Sequence, residues 1–164
     1  MEIKRTILVI EDQPNWQREM TRILEDGGFN VHVAGVYEEA VEAIETGHFE
    51  LAVVDMSLIQ GDAEDRKGAK VMEQLAKDEF RLPVICISGY LKPSEVGDLM
   101  REGLTDWFFD KNEELDEEKF LNAVTDSISR TAEETQARWK QIQERLMDLF
   151  LTDIHESRPE GGES

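Results

Sequence analysis

Three short runs of the chain are apolar at nearly every position: Thr6–Ile10, Leu51–Val54 and Val84–Ile87. A strand with one wet face alternates. A run that does not alternate, rich in Val and Ile, belongs to a strand covered on both faces, as in a parallel sheet between two helical layers. Parallel neighbours need a crossover rather than a tight turn, and the intervening chain supplies crossovers. Pro14 opens a helical pattern carried by Trp16, Met20, Ile23 and Leu24, and Gly27-Gly28 closes it. Tyr37, Ala40, Val41 and Ile44 mark a second, ended by Gly47; Val71, Met72 and Leu75 lie on a third. Pro93-Ser94-Glu95 starts a fourth that Gly103 stops, and a fifth begins near Leu115. With weaker strands at Asn30–Ala34 and Thr105–Phe109, strand and helix alternate five times. That predicts a doubly wound α/β fold with right-handed crossovers.

The helical pattern continues past the fifth element. Leu121, Ile128, Ala132, Trp139, Ile142, Leu146 and Leu149 recur at helical steps, interrupted at Thr125 and Thr135, with no Gly or Pro before Pro159. This stripe is longer than one sheet face can cover. We therefore expect a domain over 1–130, a helical extension over 131–156 and a disordered tail over 157–164.

Charge limits the partners. Across 164 residues, 37 acidic side chains face 18 basic ones, a net charge of −19. Nucleic acids and anionic membrane surfaces are disfavoured, since both bind through basic surface. Cys86 is the single cysteine, so no internal disulfide forms, which fits a reducing cytoplasm. The N-terminus lacks a small-residue cleavage site, and no apolar stretch approaches the ~18 residues of a membrane span.

In an open α/β sheet the ligand site lies beyond the carboxyl ends of the strands. There the first strand runs into Glu11-Asp12, the third into Asp55, the fourth into Ser88 and the fifth into Lys111. Three carboxylates, a hydroxyl and an ammonium converge on one edge. Clustered carboxylates repel and call for a hard divalent cation with oxygen ligands, Mg²⁺ where phosphate chemistry is involved. A carboxylate also serves as a nucleophile toward phosphorus, giving an aspartyl phosphate, and a metal, a Lys and a hydroxyl suffice as supports.

Ile7-Leu8-Val9-Ile10-Glu11-Asp12, Val53-Val54-Asp55, Ile87-Ser88-Gly89 and Phe108-Phe109-Asp110-Lys111 together resemble the receiver domain of two-component response regulators, over roughly residues 5–130. The resemblance implies a flavodoxin-like (βα)5 fold with strand order 2-1-3-4-5. It implies that Asp55 accepts a phosphoryl group from a histidine kinase or phosphotransfer protein. Glu11, Asp12, Asp55 and the backbone carbonyl of Ser57 would hold Mg²⁺, with Mn²⁺ as a substitute. Ser88 and Lys111 would engage the phosphoryl group, Gly89 would leave it reachable, and Phe108 would be the aromatic switch residue. The output would be a change in protein contacts, not catalysis.

Three positions depart from the family. Asn112 follows Lys111 where the family carries a cis proline, so the lysine is expected either to sit differently or to rest on strain. The segment after Asp55 reads Met56-Ser57-Leu58-Ile59-Gln60-Gly61, without the usual Met-Pro, and continues into a charged loop, Gly61–Lys67, longer by about five residues. Phe108 replaces the usual Tyr and has no hydroxyl to anchor an inward state. Two other readings compete. One is a receiver-like scaffold or dimerisation module that is never phosphorylated. The other is a haloacid-dehalogenase-type phosphatase, for which the second acid after Asp12 is missing, since Gln13 and Pro14 follow.

The remaining signals are bland. His32, His48 and His155 lack metal-ligand spacing, Cys86 reads as a core residue, and Trp107-Phe108-Phe109 reads as core rather than a base-stacking platform. No G-x-x-x-x-G-K loop is present. The extension is too short and acidic for a DNA-binding output domain. It is expected to form a parallel or antiparallel homodimer seam through Trp139, Ile142, Leu146 and Leu149, with Phe150 and Ile154 extending it. A bare overrun of the fifth helix, or a linker to a further domain, is the alternative.

Overall fold

The computed structural model describes residues 3–58, 65–77 and 82–156. Five strands and five helices alternate: β1 Thr6–Ile10, α1 Pro14–Asp26, β2 Asn30–Ala34, α2 Tyr37–Thr46, β3 Leu51–Asp55, α3 Lys67–Lys77, β4 Val84–Ser88, α4 Pro93–Arg101, β5 Trp107–Asp110 and α5 Glu117–Glu156. The strands form one parallel sheet in the order β2-β1-β3-β4-β5. This is the flavodoxin-like topology.

The three continuous apolar runs are the three central strands, and alternate residues serve opposite layers. Leu8, Ile10, Ala52, Val54, Val84 and Cys86 pack into one buried group with Ala40, Ala43, Val71, Met72, Leu75 and Leu99 of α2, α3 and α4. Ile7, Val9, Leu51, Val53, Ile85 and Ile87 pack into the other, with Met20, Ile23 and Leu24 of α1 and Phe120, Ala123, Val124 and Ile128 of α5. Phe120 is fully buried and meets Phe109 edge-on at 5.3 Å. β2 lies at the sheet edge with only Ala34 fully buried, which explains its weaker sequence signal.

β3, β4 and β5 each run one residue beyond the expected end, to Asp55, Ser88 and Asp110, and two starts differ from expectation. β5 starts at Trp107 rather than Thr105 because the Thr105 side chain takes over the pairing there. Its Oγ1 accepts from the Cys86 amide at 3.1 Å and lies 3.0 Å from the Val84 carbonyl. α5 starts at Glu117, two residues beyond Leu115, because Asp116 caps it through Oδ1 and the Lys119 amide at 3.0 Å. α1 ends as expected, with Gly28 in the left-handed region at φ 91° and the Phe29 amide donating to the Leu24 carbonyl at 3.0 Å.

The chain divides into two units, Met1–Thr131 and Ala132–Ser164. The first holds the sheet, α1 to α4 and the start of α5. In the second, the helix from Ala132 onward is exposed at every described side chain except Thr135, which is half-buried. No helix among the described residues is long and apolar enough to cross a membrane. The tail over 157–164 and the loop residues 59–64 lie outside the described residues.

Candidate functional site

The sheet delivers the site. β1, β3, β4 and β5 run parallel and end side by side, so Glu11-Asp12, Asp55, Ser88 and Lys111 meet at one edge. Asp55 and Glu11 are buried and Asp12 is half-buried. Carboxylate oxygens of all three lie within 4.8 Å of one another. Lys111 Nζ, itself buried, is 2.8 Å from Asp55 Oδ2 and 2.5 Å from Glu11 Oε2. The Gln13 amide donates to Glu11 Oε1 at 2.9 Å and the Ser57 amide to Asp55 Oδ1 at 3.3 Å. Buried Asp12 Oδ1 has no hydrogen-bond partner among the described residues.

Burial is the first cause of the unusual carboxyl pKa values. It pushes Glu11 up to about 7, helped by the Asp55 charge and opposed by Lys111. It also raises Asp55, against the pull of Lys111 and the Ser57 amide. One ammonium facing three carboxylates leaves negative charge in a water-poor pocket. The donors are all oxygen and Asp12 Oδ1 is an unmatched acceptor. The residues fit a hard divalent cation.

Ser88 is buried one residue beyond Ile87, the ladder partner of Asp55, and its Oγ accepts from the Tyr90 amide at 3.4 Å. Phe108 is half-buried against the α2–α3–α4 layer. Lys111 reaches Asp55 with no cis peptide bond and no left-handed non-glycine residue among the described residues.

Four residues make contacts that the sequence reading did not assign to them. The Trp16 ring centroid lies 5.2 Å from Lys111 Nζ, a cation–π contact. Gly68, in the first turn of α3, packs so closely on the Asp55 carbonyl and Met56 that a Cβ would collide with backbone. Asp65 ties the loop after β3, accepting from the Leu58 amide at 2.6 Å and the Lys67 amide at 3.1 Å. Asn112 Nδ2 donates to the Gly89 carbonyl at 2.8 Å. The Gly in a helix start and the Asp two residues before Lys67 were weak local signals; the two others depend on tertiary placement alone.

The response regulator receiver domain family matches residues 7–125, most of the chain and every strand-end residue above. The chain belongs to that family. Solved structures agree on the fold. The receiver domain of a putative LuxO repressor protein from Vibrio parahaemolyticus superposes with a TM-score of 0.70 at 16% identity, covering 82% of this chain and 98% of that one. A CheY-like receiver domain protein from Methanospirillum hungatei JF-1 gives 0.68 at 21% identity, covering 80% and 99%. The non-phosphorylated HemR receiver domain from Leptospira biflexa gives 0.64 at 25% identity, covering 77% and 95%. No curated protein matches the sequence.

Proposed function

We propose that this receiver domain is a phosphorylation switch with Asp55 as phospho-acceptor, fed by a histidine kinase or phosphotransfer protein. The observation that carries the reading is the buried Lys111 ammonium bridging Asp55 and Glu11 beside the unmatched Asp12 oxygen. In the transfer, an Asp55 oxygen forms a bond to phosphorus as the donor's nitrogen–phosphorus bond breaks, and that bond's electron pair returns to the imidazole. Lys111 loses part of its partner when the Asp55 charge is esterified and is placed to meet the new phosphoryl oxygens. The Ser88 hydroxyl, which accepts a long bond from the Tyr90 amide, has its proton to donate to them. Glu11, Asp12, Asp55 and the Ser57 carbonyl would hold Mg²⁺, or Mn²⁺ in its place, which supplies neutralisation of the phosphoryl charge.

Movement of Ser88 changes the space beside Phe108 and so the α4–β5 surface offered to a downstream protein. We further read 1–130 as the receiver domain and 131–156 as a segment that joins two copies. Trp139, Ile142, Leu146 and Leu149 are each 40% exposed or more, at alternating three- and four-residue steps. A net charge of −19 and a single cysteine favour a cytoplasmic protein that binds neither nucleic acid nor membrane.

Incubation with acetyl phosphate and Mg²⁺ should add one phosphoryl group by intact mass. EDTA and Asp55→Asn should each abolish the gain. Wild type that gains nothing, from acetyl phosphate or a phosphorylated donor, would leave the unphosphorylated scaffold as the reading.

A further inference from the structure

Asn112 occupies the place after Lys111 where the family carries proline, and its contacts give it a task of its own. Its Nδ2 donates to the Gly89 carbonyl at 2.8 Å and to Asp110 Oδ1 at 3.0 Å. Its backbone amide donates to the same Asp110 oxygen at 2.8 Å. The bond to Gly89 adds a side-chain tie between two turns that the Lys111 amide and the Ser88 carbonyl already join at 3.2 Å. One follows β4 and begins at Ser88-Gly89; the other follows β5 and begins at Lys111.

The two turns are anchored unequally. The β5 side is fixed by Lys111, whose ammonium is buried between Asp55 and Glu11 and whose amide donates to the Ser88 carbonyl at 3.2 Å. The β4 side continues into exposed Tyr90, and among the described residues the Ser88 hydroxyl has only the 3.4 Å bond from the Tyr90 amide. The Asn112 carboxamide is the short, well-placed bond that holds the Gly89 carbonyl. A Cβ on Gly89 would lie 3.4 Å from Asn112 Nδ2, so the two turns are in contact as well as bonded.

We propose that Asn112 is a positioning residue: a latch that holds Gly89, and with it Ser88, in the resting place, and releases when Ser88 turns toward an anion on Asp55. The latch rests on the receiver reading above. A bond made in the resting arrangement and lost in the other biases the equilibrium toward rest. At the usual net worth of a hydrogen bond, its removal shifts that equilibrium about threefold to tenfold.

The test uses the full chain with Mg²⁺ and beryllofluoride as the phosphoryl stand-in, followed by tryptophan fluorescence, since Trp16 lies against Lys111. Asn112→Ala should bind beryllofluoride about threefold to tenfold more tightly than wild type. Its thermal midpoint should fall below that of wild type without beryllofluoride and match it at saturation. Equal or weaker binding, or a midpoint lowered equally in both states, would overturn the latch and leave Asn112 a merely structural residue. Wild type that binds no beryllofluoride takes down the receiver reading and the latch together. Wild-type binding with unaltered Asn112→Ala binding takes down the latch alone.

Discussion

Glu11 is the residue at which the cost of the site is concentrated. It is fully buried, next to Asp55, with half a share in one lysine. With its pKa raised to about 7 from an ordinary 4.5, the folded chain keeps a proton that the unfolded chain has released. The stabilising contribution of that proton is complete below about pH 4.5 and is lost as pH rises through about 7. Glu11→Gln removes the titration while keeping the shape. In EDTA, the variant should match wild type near pH 4.5 and exceed it above pH 7, by on the order of 3 kcal/mol in denaturant unfolding. A gap that stays constant with pH would show that Glu11 ionises normally. Glu11, Asp12, Asp55, Ser88 and Lys111 could be singled out in the sequence because each lies at the end of an apolar strand or within two residues after it. Asn112 and Trp16 were not, because their partners are set by how loops and helices settle, and neither residue type announces that.

Among the elements, the central strands were readable because burial on both faces leaves no polar gap, whereas edge strand β2 and the shifted β5 were blurred. In the start of α5 the stripe read from the sequence took in Leu121 and Ile128 but passed over fully buried Phe120 and Val124, which face the sheet. Further along the helix, a heptad reading puts Trp139 and Leu146 at a, Ile142 and Leu149 at d, Arg145 at g, and Gln143 and Phe150 at e. An antiparallel pair brings g against g and sets Arg145 beside its own copy. A parallel pair brings g against e and lays Arg145 on the Phe150 ring of the second copy. The parallel arrangement is therefore expected. Asp153, at the next a position, opposes itself in that register, in the last turn of the seam. Under mild oxidation Trp139→Cys should cross-link to itself. Cross-linking only in a mixture of Trp139→Cys with Leu149→Cys would mean that the helices run antiparallel. Buried Cys86, whose thiol pKa is raised by burial, should not interfere.

For the whole molecule, charge and apolar surface pull in opposite directions. Each copy carries −19, so two copies repel at long range, while the exposed helix face offers apolar surface whose burial is insensitive to simple screening. Raising ionic strength from about 50 mM to about 500 mM shortens the Debye length from beyond 10 Å to a few Å and removes most of the repulsion. Self-association should tighten with salt, the reverse of an assembly held by ion pairs. The two buried groups of side chains lie wholly between Ile7 and Ile128, so a chain ending at Thr131 keeps its core. It should still accept a phosphoryl group on Asp55. Sedimentation equilibrium separates the contributions: the full chain should shift toward dimer as salt rises, and the chain ending at Thr131 should stay monomeric throughout. Dimerisation of the shortened chain would place the seam on the receiver domain itself, and salt-weakened association of the full chain would make it electrostatic.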